Sequence, residues 1–209
     1  MESEVVQAVA QYAESVMGQE GFRYISAVVA TCKMLALELE DGEGTNALDI
    51  DALVIAAYLH NISTIESGFH DHQLKSAEMA VEFLHEVQAE DELVTSVGRI
   101  IRAHTTVLAS QEQETRPLEA RIIYDADKLG RLSGLAVVTS LIEFGARYPN
   151  RAVNGEVLCA ILRHIEERFV DLFQSLNTAP ARAMARVKFG NTLAFLDGVI
   201  EHLSDATPI

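Results

Sequence analysis

The stretch Asp49-Ile50-Asp51-Ala52-Leu53-Val54-Ile55-Ala56-Ala57-Tyr58-Leu59-His60-Asn61-Ile62-Ser63 constrains the chain most. It is an apolar run that stops at a histidine and a carboxamide. Leu53, Ala56, Ala57 and His60 recur at i, i+3, i+4 and i+7, which places His60 on the buried face of a helix. Asp49 stands where a helix N-cap belongs. A hydrophobic helix that delivers an imidazole and then an amide to its end suits a polar site inside a core better than packing alone.

The rest of the sequence reads as helix around that run. Val5, Val9, Tyr12, Ala13 and Val16 form a first stripe, closed by Gly18 and Gly21. A second helix spans Phe22 to Glu40, with Tyr24, Val28, Thr31, Cys32 and Leu35 on one face. Asp41-Gly42-Glu43-Gly44 marks a loop, and Ser63 to Phe69 another. Further stripes are His72, Ser76, Met79, Ala80 and Phe83; Val97, Ile100, Ile101 and His104 within Glu92 to Leu108; and Ala120, Ile123 and Asp127 after Pro117. Gln111 to Arg116 reads as a polar connector. A further helix ends near Arg147, before the turn Tyr148-Pro149-Asn150. Helices over Gly155 to Ser175 and Thr178 to Leu203 complete the chain. All four prolines fall at element boundaries, as helical structure requires. The expectation is one all-α domain over 1–209, with a bundle core of about 20–147 and a C-terminal helical pair over about 150–205.

A hydrophobic fraction of 49% supports a sizeable core. A net charge of -15 argues against nucleic-acid polymers and anionic membranes as partners. It leaves room for a small phosphorylated ligand, since a local basic pocket or a metal outweighs the global field. With no membrane-length apolar run and no leader-like start, the sequence reads as a soluble, cytoplasmic protein. Cys32 and Cys159 read as reduced core thiols. The long amphipathic C-terminal helices suit a homodimer.

Five helices each carry one polar residue on an apolar stripe: Tyr24, His60 with Asn61, His72, His104 and Asp127. A lone core histidine is more often simply hydrogen-bonded than a ligand. A buried aspartate needs a partner or a cation. Three histidines and an aspartate converging in a bundle is how such folds build metal sites, and imidazole with carboxylate suits Mn, Fe, Zn or Ni, or Mg where oxygens dominate. Asp125, two residues from Asp127, reads as exposed. His70 reads as solvated loop, and His85, His164 and His202 as surface. Lys75, Arg99, Arg102, Arg121, Lys128 and Arg131 are the cations nearest the cluster in sequence. Lys75, Arg102 and Lys128 are the candidate phosphate contacts.

These residues resemble the HD-domain metal-dependent phosphohydrolases. Leu59-His60-Asn61-Ile62 resembles the family's Leu-His-Asp-Ile core. His72-Gln73-Leu74-Lys75-Ser76-Ala77 and Ile100-Ile101-Arg102-Ala103-His104 are similar to its histidine segments. Ala120 to Leu129, with Asp125-Ala126-Asp127-Lys128-Leu129, is similar to its closing Asp-Ala-Asp-Lys-Leu stretch. Thr178 to Leu203, with Ala181-Arg182 and Ala194-Phe195-Leu196, resembles the C-terminal helix of the small bacterial branch. The resemblance implies an all-α domain acting on a small phosphorylated or nucleotide-type molecule. Its divalent metal would be held by a first His, the His-Asp pair and a final Asp. The pair falls on His60 and Asn61, and the final Asp on Asp127. His72 and His104 fall on positions that serve a second metal or the substrate phosphate, and with Asn61 they are the candidate catalytic residues.

The sequence departs from the family at three places. Tyr24 stands where the first His belongs, Asn61 replaces the paired Asp, and Ser63 replaces a common Gly. A phenol with pKa ~10 stays protonated at neutral pH and is a poor ligand. A carboxamide offers one neutral oxygen and no bridging mode. These departures imply a weakened or altered metal site, one shifted onto His60, His72, His104 and Asp127, or no metal at all. The last option is a catalytically inactive ligand-binding or scaffold protein that keeps the fold.

Overall fold

The structure is a computed structural model and describes residues 3–40, 48–67, 71–105, 116–132, 134–150 and 154–205. The chain is all-α: among the described residues helices and turns are present and strands are absent. The helices are α1 (Glu4–Glu40), α2 (Ile50–Leu59), α3 (Thr64–Ser67), α4 (His72–Glu86), α5 (Asp91–Ala103), α6 (Leu118–Arg131), α7 (Gly134–Arg147), α8 (Gly155–Gln174) and α9 (Ala179–Asp205). Contacts divide the chain into two compact units, Met1–Asp127 and Lys128–Ile209.

In the first unit α2 is the central helix. Seven of its ten residues are buried, so it is enclosed on all sides rather than on one stripe. The side chain of Asp49 accepts a hydrogen bond from the Ala52 amide at 2.9 Å, which makes it the N-cap that the sequence indicates. α1 and α5 pack on α2, and α4 packs on α5 and α2. Gly98 allows the α4–α5 approach, because a Cβ there would sit 3.1 Å from Val81 Cγ2. Phe22 stacks over Tyr58, and Tyr12 over Phe83, so both halves of α1 are tied to the bundle.

In the second unit α8 packs on α9, and α7 on α8. Asn154 caps α8 by accepting from the Val157 amide at 2.9 Å. The Thr178 hydroxyl accepts from the Ala181 amide at 3.4 Å as α9 begins. Among the described residues no single helix is long and apolar enough to cross a membrane.

Several boundaries differ from the sequence reading. The break after the first stripe lies at Gly18 alone; the chain is helical through Gly21. α5 stops at Ala103 rather than running to Leu108, because His104 leaves the helix as its C-cap. The segment expected as loop after Ser63 contains the helical turn α3. The Asp41–Gly44 loop, His70 and most of the Gln111–Arg116 connector lie outside the described residues.

Gly18 has φ 69° and ψ 176°, a conformation essentially restricted to glycine. A Cβ would meet nothing within 4 Å there, so the obstacle is the backbone and not space. Gly18→Ala should therefore lower stability by about 1–3 kcal/mol in urea unfolding, without loss of helical content in the folded protein.

Candidate functional site

The site is assembled from the ends of three helices, α2, α4 and α5, and from residues inside α1 and α6. His60 is the C-cap of α2 and is 1% exposed. Its Nδ1 lies 2.8 Å from the Ala57 carbonyl oxygen. A carbonyl only accepts, so Nδ1 carries a proton. His104, the C-cap of α5, repeats the arrangement: Nδ1 lies 2.6 Å from the Ile101 carbonyl oxygen. Both helices thus end by spending an orphan carbonyl on an imidazole, which fixes the ring and its tautomer.

The two rings meet edge to face at 5.0 Å, and His72, at the first position of α4, meets His104 at 5.4 Å. Burial pushes the His104 pKa down to about 3, with the neighbouring His60 and His72 adding to the shift and Asp127 opposing it. His104 is therefore a neutral imidazole at physiological pH.

The turn after His60 is fastened to α4 by hydroxyls. Ser63 Oγ donates to the His72 carbonyl oxygen at 3.1 Å and meets Ser76 Oγ at 2.9 Å, while the Ser63 amide donates to Ser76 Oγ at 3.2 Å. Ser63 and Ser76 are both buried. The sequence reading marks Ser63 only as a departure from glycine. In the fold its hydroxyl holds the start of α4, and with it His72, beside His104. Asn61 is 6% exposed, and its carbonyl oxygen accepts from the Thr64 amide at 3.0 Å and the Thr64 hydroxyl at 2.6 Å.

Tyr24 is 39% exposed, yet its hydroxyl donates a hydrogen bond to Asp127 Oδ1 across 103 residues of sequence. The first-His position and the final Asp therefore face one another directly. Asp127 is 5% exposed. Cys32 is fully buried within the fields of Asp127 and Asp125. Burial first, and those carboxylates second, push its thiol pKa far up, so it stays protonated and inert.

Asp125 is 0% exposed, which corrects the reading that it faces water. The residues from Ile122 to Asp127 are all buried, so α6 is enclosed on every side at this level and a two-residue offset does not lead to solvent. Of the candidate phosphate contacts, Lys75 and Arg102 are exposed and Lys128 is half-buried. His85, His164 and His202 are exposed, as the sequence implies. Sequence reasoning missed Arg116, which is 8% exposed and packs its guanidinium 5.9 Å from the centre of the Tyr124 ring. The signal for it is weak, a lone arginine just before the proline that opens α6.

Among known proteins, a model of the HD domain matches residues 25–132, and the chain belongs to the HD domain family. Among solved structures it is similar to an HD-superfamily hydrolase from Bacillus thuringiensis, at 18% identity over 99% of this chain and 100% of that one, with a TM-score of 0.71. It is also similar to the Lin1889 protein from Listeria innocua, at 18% identity over 99% of both chains and a TM-score of 0.68. A third is Bacillus subtilis YpgQ in complex with ADP, at 16% identity over 95% of this chain and 94% of that one, with a TM-score of 0.65. At such identities the likeness shows the fold. No curated protein sequence matches the chain.

The His104 shift has a pH consequence. An unfolded histidine titrates near 6.5. Between pH ~6.5 and the folded value of about 3, the unfolded chain binds a proton that the folded chain refuses. Stability should therefore fall as pH drops through this window, at up to about 1.4 kcal/mol per pH unit from this group. Urea midpoints measured from pH 7 to pH 4 should drop less steeply in His104→Gln than in the parent.

Proposed function

We propose that this HD-family chain binds a small phosphorylated or nucleotide-type molecule at the His60–His72–His104 cluster, and that the family's metal-dependent phosphohydrolase chemistry is weakened in it. The observation that carries the reading is the hydrogen bond from the Tyr24 hydroxyl to Asp127. HD domains are generally dependent on a divalent metal. Here the donor set does not fit such an ion in the family's arrangement. Asp127 is engaged by the phenol of Tyr24, which donates its proton there, and the neighbour of His60 is a neutral amide. Among the described residues no group of three or more His, Cys, Asp or Glu side chains is placed to hold a metal ion. Removing an anionic ligand from a site costs orders of magnitude in affinity, roughly several kcal/mol.

The arrangement is suited to recognition. His60 and His104 are pinned through Nδ1, and the neutral His104 presents an Nε2 lone pair, which accepts a hydrogen bond from a hydroxyl or amino group. Lys75 and Arg102, both exposed, are the positive charges proposed for a phosphate. YpgQ, which shares the fold, is a complex with ADP, and a nucleoside diphosphate is therefore the first ligand to try. The Tyr24–Asp127 bond favours the catalytically silent form of the reading, in which the bundle binds its ligand without turning it over.

Isothermal titration with ADP is the test, run on protein treated with chelator and again with added Mn, Fe, Zn, Ni or Mg. The expected result is saturable binding that metal changes by less than about tenfold, or ~1.4 kcal/mol. A protein that keeps one metal per chain through purification, and binds or hydrolyses ADP only with it, would overturn the proposal.

A further inference from the structure

Arg116 is a cost that the helical bundle does not need. It is nine-tenths buried, and its Nε is inaccessible and has no hydrogen-bond partner. A guanidinium taken out of water must be compensated or it destabilises the fold. The compensation here has three parts. Nη2 donates to the carbonyl oxygen of Thr105, the residue that follows His104. The guanidinium carbon lies 5.9 Å from the Tyr124 ring centre, within cation–π range. Burial lowers the Arg116 pKa, and the nearby Tyr124 and Asp125 oppose that change, while Arg121 adds to it. One side chain therefore touches both the end of the α5 segment and the stretch of α6 that leads into Asp127.

The connection bears on His104 in particular. His104 has left α5, and Thr105 sits in a bend. At the backbone His104 keeps a long 3.4 Å bond to Ile101. Helix termini fray unless their carbonyls are held. The Arg116 bond to Thr105 holds the chain immediately beyond the imidazole, and it does so from the residue just before Pro117, which leads into the helix that carries Asp127.

We propose that Arg116 is a positioning residue for His104: by gripping the Thr105 carbonyl while resting on Tyr124, it keeps the His104 ring against His60 and His72. This rests on the reading of His104 as part of the ligand site. Arginine suits this position because its planar fork donates in one direction and stacks in another, which lysine cannot do at once.

The test reads the imidazole itself, so it stands apart from whether ADP binds. Diethyl pyrocarbonate modification, mapped by peptide mass, gives a rate for each histidine. In the parent, His104 and His60 should react far more slowly than exposed His85, His164 and His202. Arg116→Gln should raise the His104 rate about tenfold or more while leaving His60 unchanged, as selective local opening requires. Arg116→Lys should raise it by less. Equal rates in parent and Arg116→Gln would overturn the proposal, and so would a rise of His104 and His60 together, which marks general loosening of the core. If Arg116→Gln does not fold, Arg116→Lys is judged in its place. A His104-selective rise of about threefold supports the assignment, and no selective rise overturns it.

Discussion

A buried carboxylate must be answered, and in this chain Asp127 is answered by a phenol. The Tyr24 hydroxyl reaches it from the middle of α1, and much else follows from that pairing. It links the first long helix to α6, which the sequence separates by 103 residues. It supplies a charge-assisted hydrogen bond to a buried carboxylate in a family that is generally dependent on a divalent metal. Such a bond leaves the negative charge on the carboxylate without asking for a metal. His104 stays neutral beside it because burial lowers its pKa to about 3 against the opposing pull of Asp127.

The same logic orders the remaining polar groups. Each buried histidine nitrogen that carries a proton gives it to a helix-terminal carbonyl, Ala57 for His60 and Ile101 for His104. The two buried serines are bonded to each other, Ser76 Oγ also accepts from the Ser63 amide, and Ser63 Oγ donates to the His72 carbonyl. Asp125 lies in the field of Arg116, and Arg116 in turn is held by Thr105 and Tyr124. Polar groups buried in this way are costly singly and rigid when satisfied together. The result is a pair of rings, His60 and His104, held in fixed orientation.

The all-α fold is legible because helical periodicity, capping and proline placement all agree. Asp49 and the apolar run behind it define α2 from sequence alone. The candidate site residues Tyr24, His60, His72, His104 and Asp127 also stand out in the sequence, since each is a His, Tyr or Asp on an apolar stripe. The connection between them does not. Nothing in a one-dimensional pattern pairs Tyr24 with Asp127. Asp125 escapes the pattern because a two-residue offset leads to water only on a helix with a wet side, and α6 is enclosed from Ile122 to Asp127. Arg116 escapes it because its importance lies in a carbonyl eleven residues earlier, a contact made only after folding. The end of α5 is overrun because the periodic pattern continues through His104, whereas the imidazole caps the helix through its own Nδ1.

The central claim is that residues 24 and 61 are where the metal chemistry is weakened. It is tested most directly by restoring both in Tyr24→His with Asn61→Asp and measuring metal content by elemental analysis after exposure to Mn, Fe, Zn, Ni or Mg and gel filtration. The account predicts that the parent retains none in stoichiometric amount. The double variant should retain about one ion per chain, because it completes a His–His-Asp–Asp donor set with His60 and Asp127. A folded double variant that binds no metal, or a parent that binds as much as the variant, would contradict it.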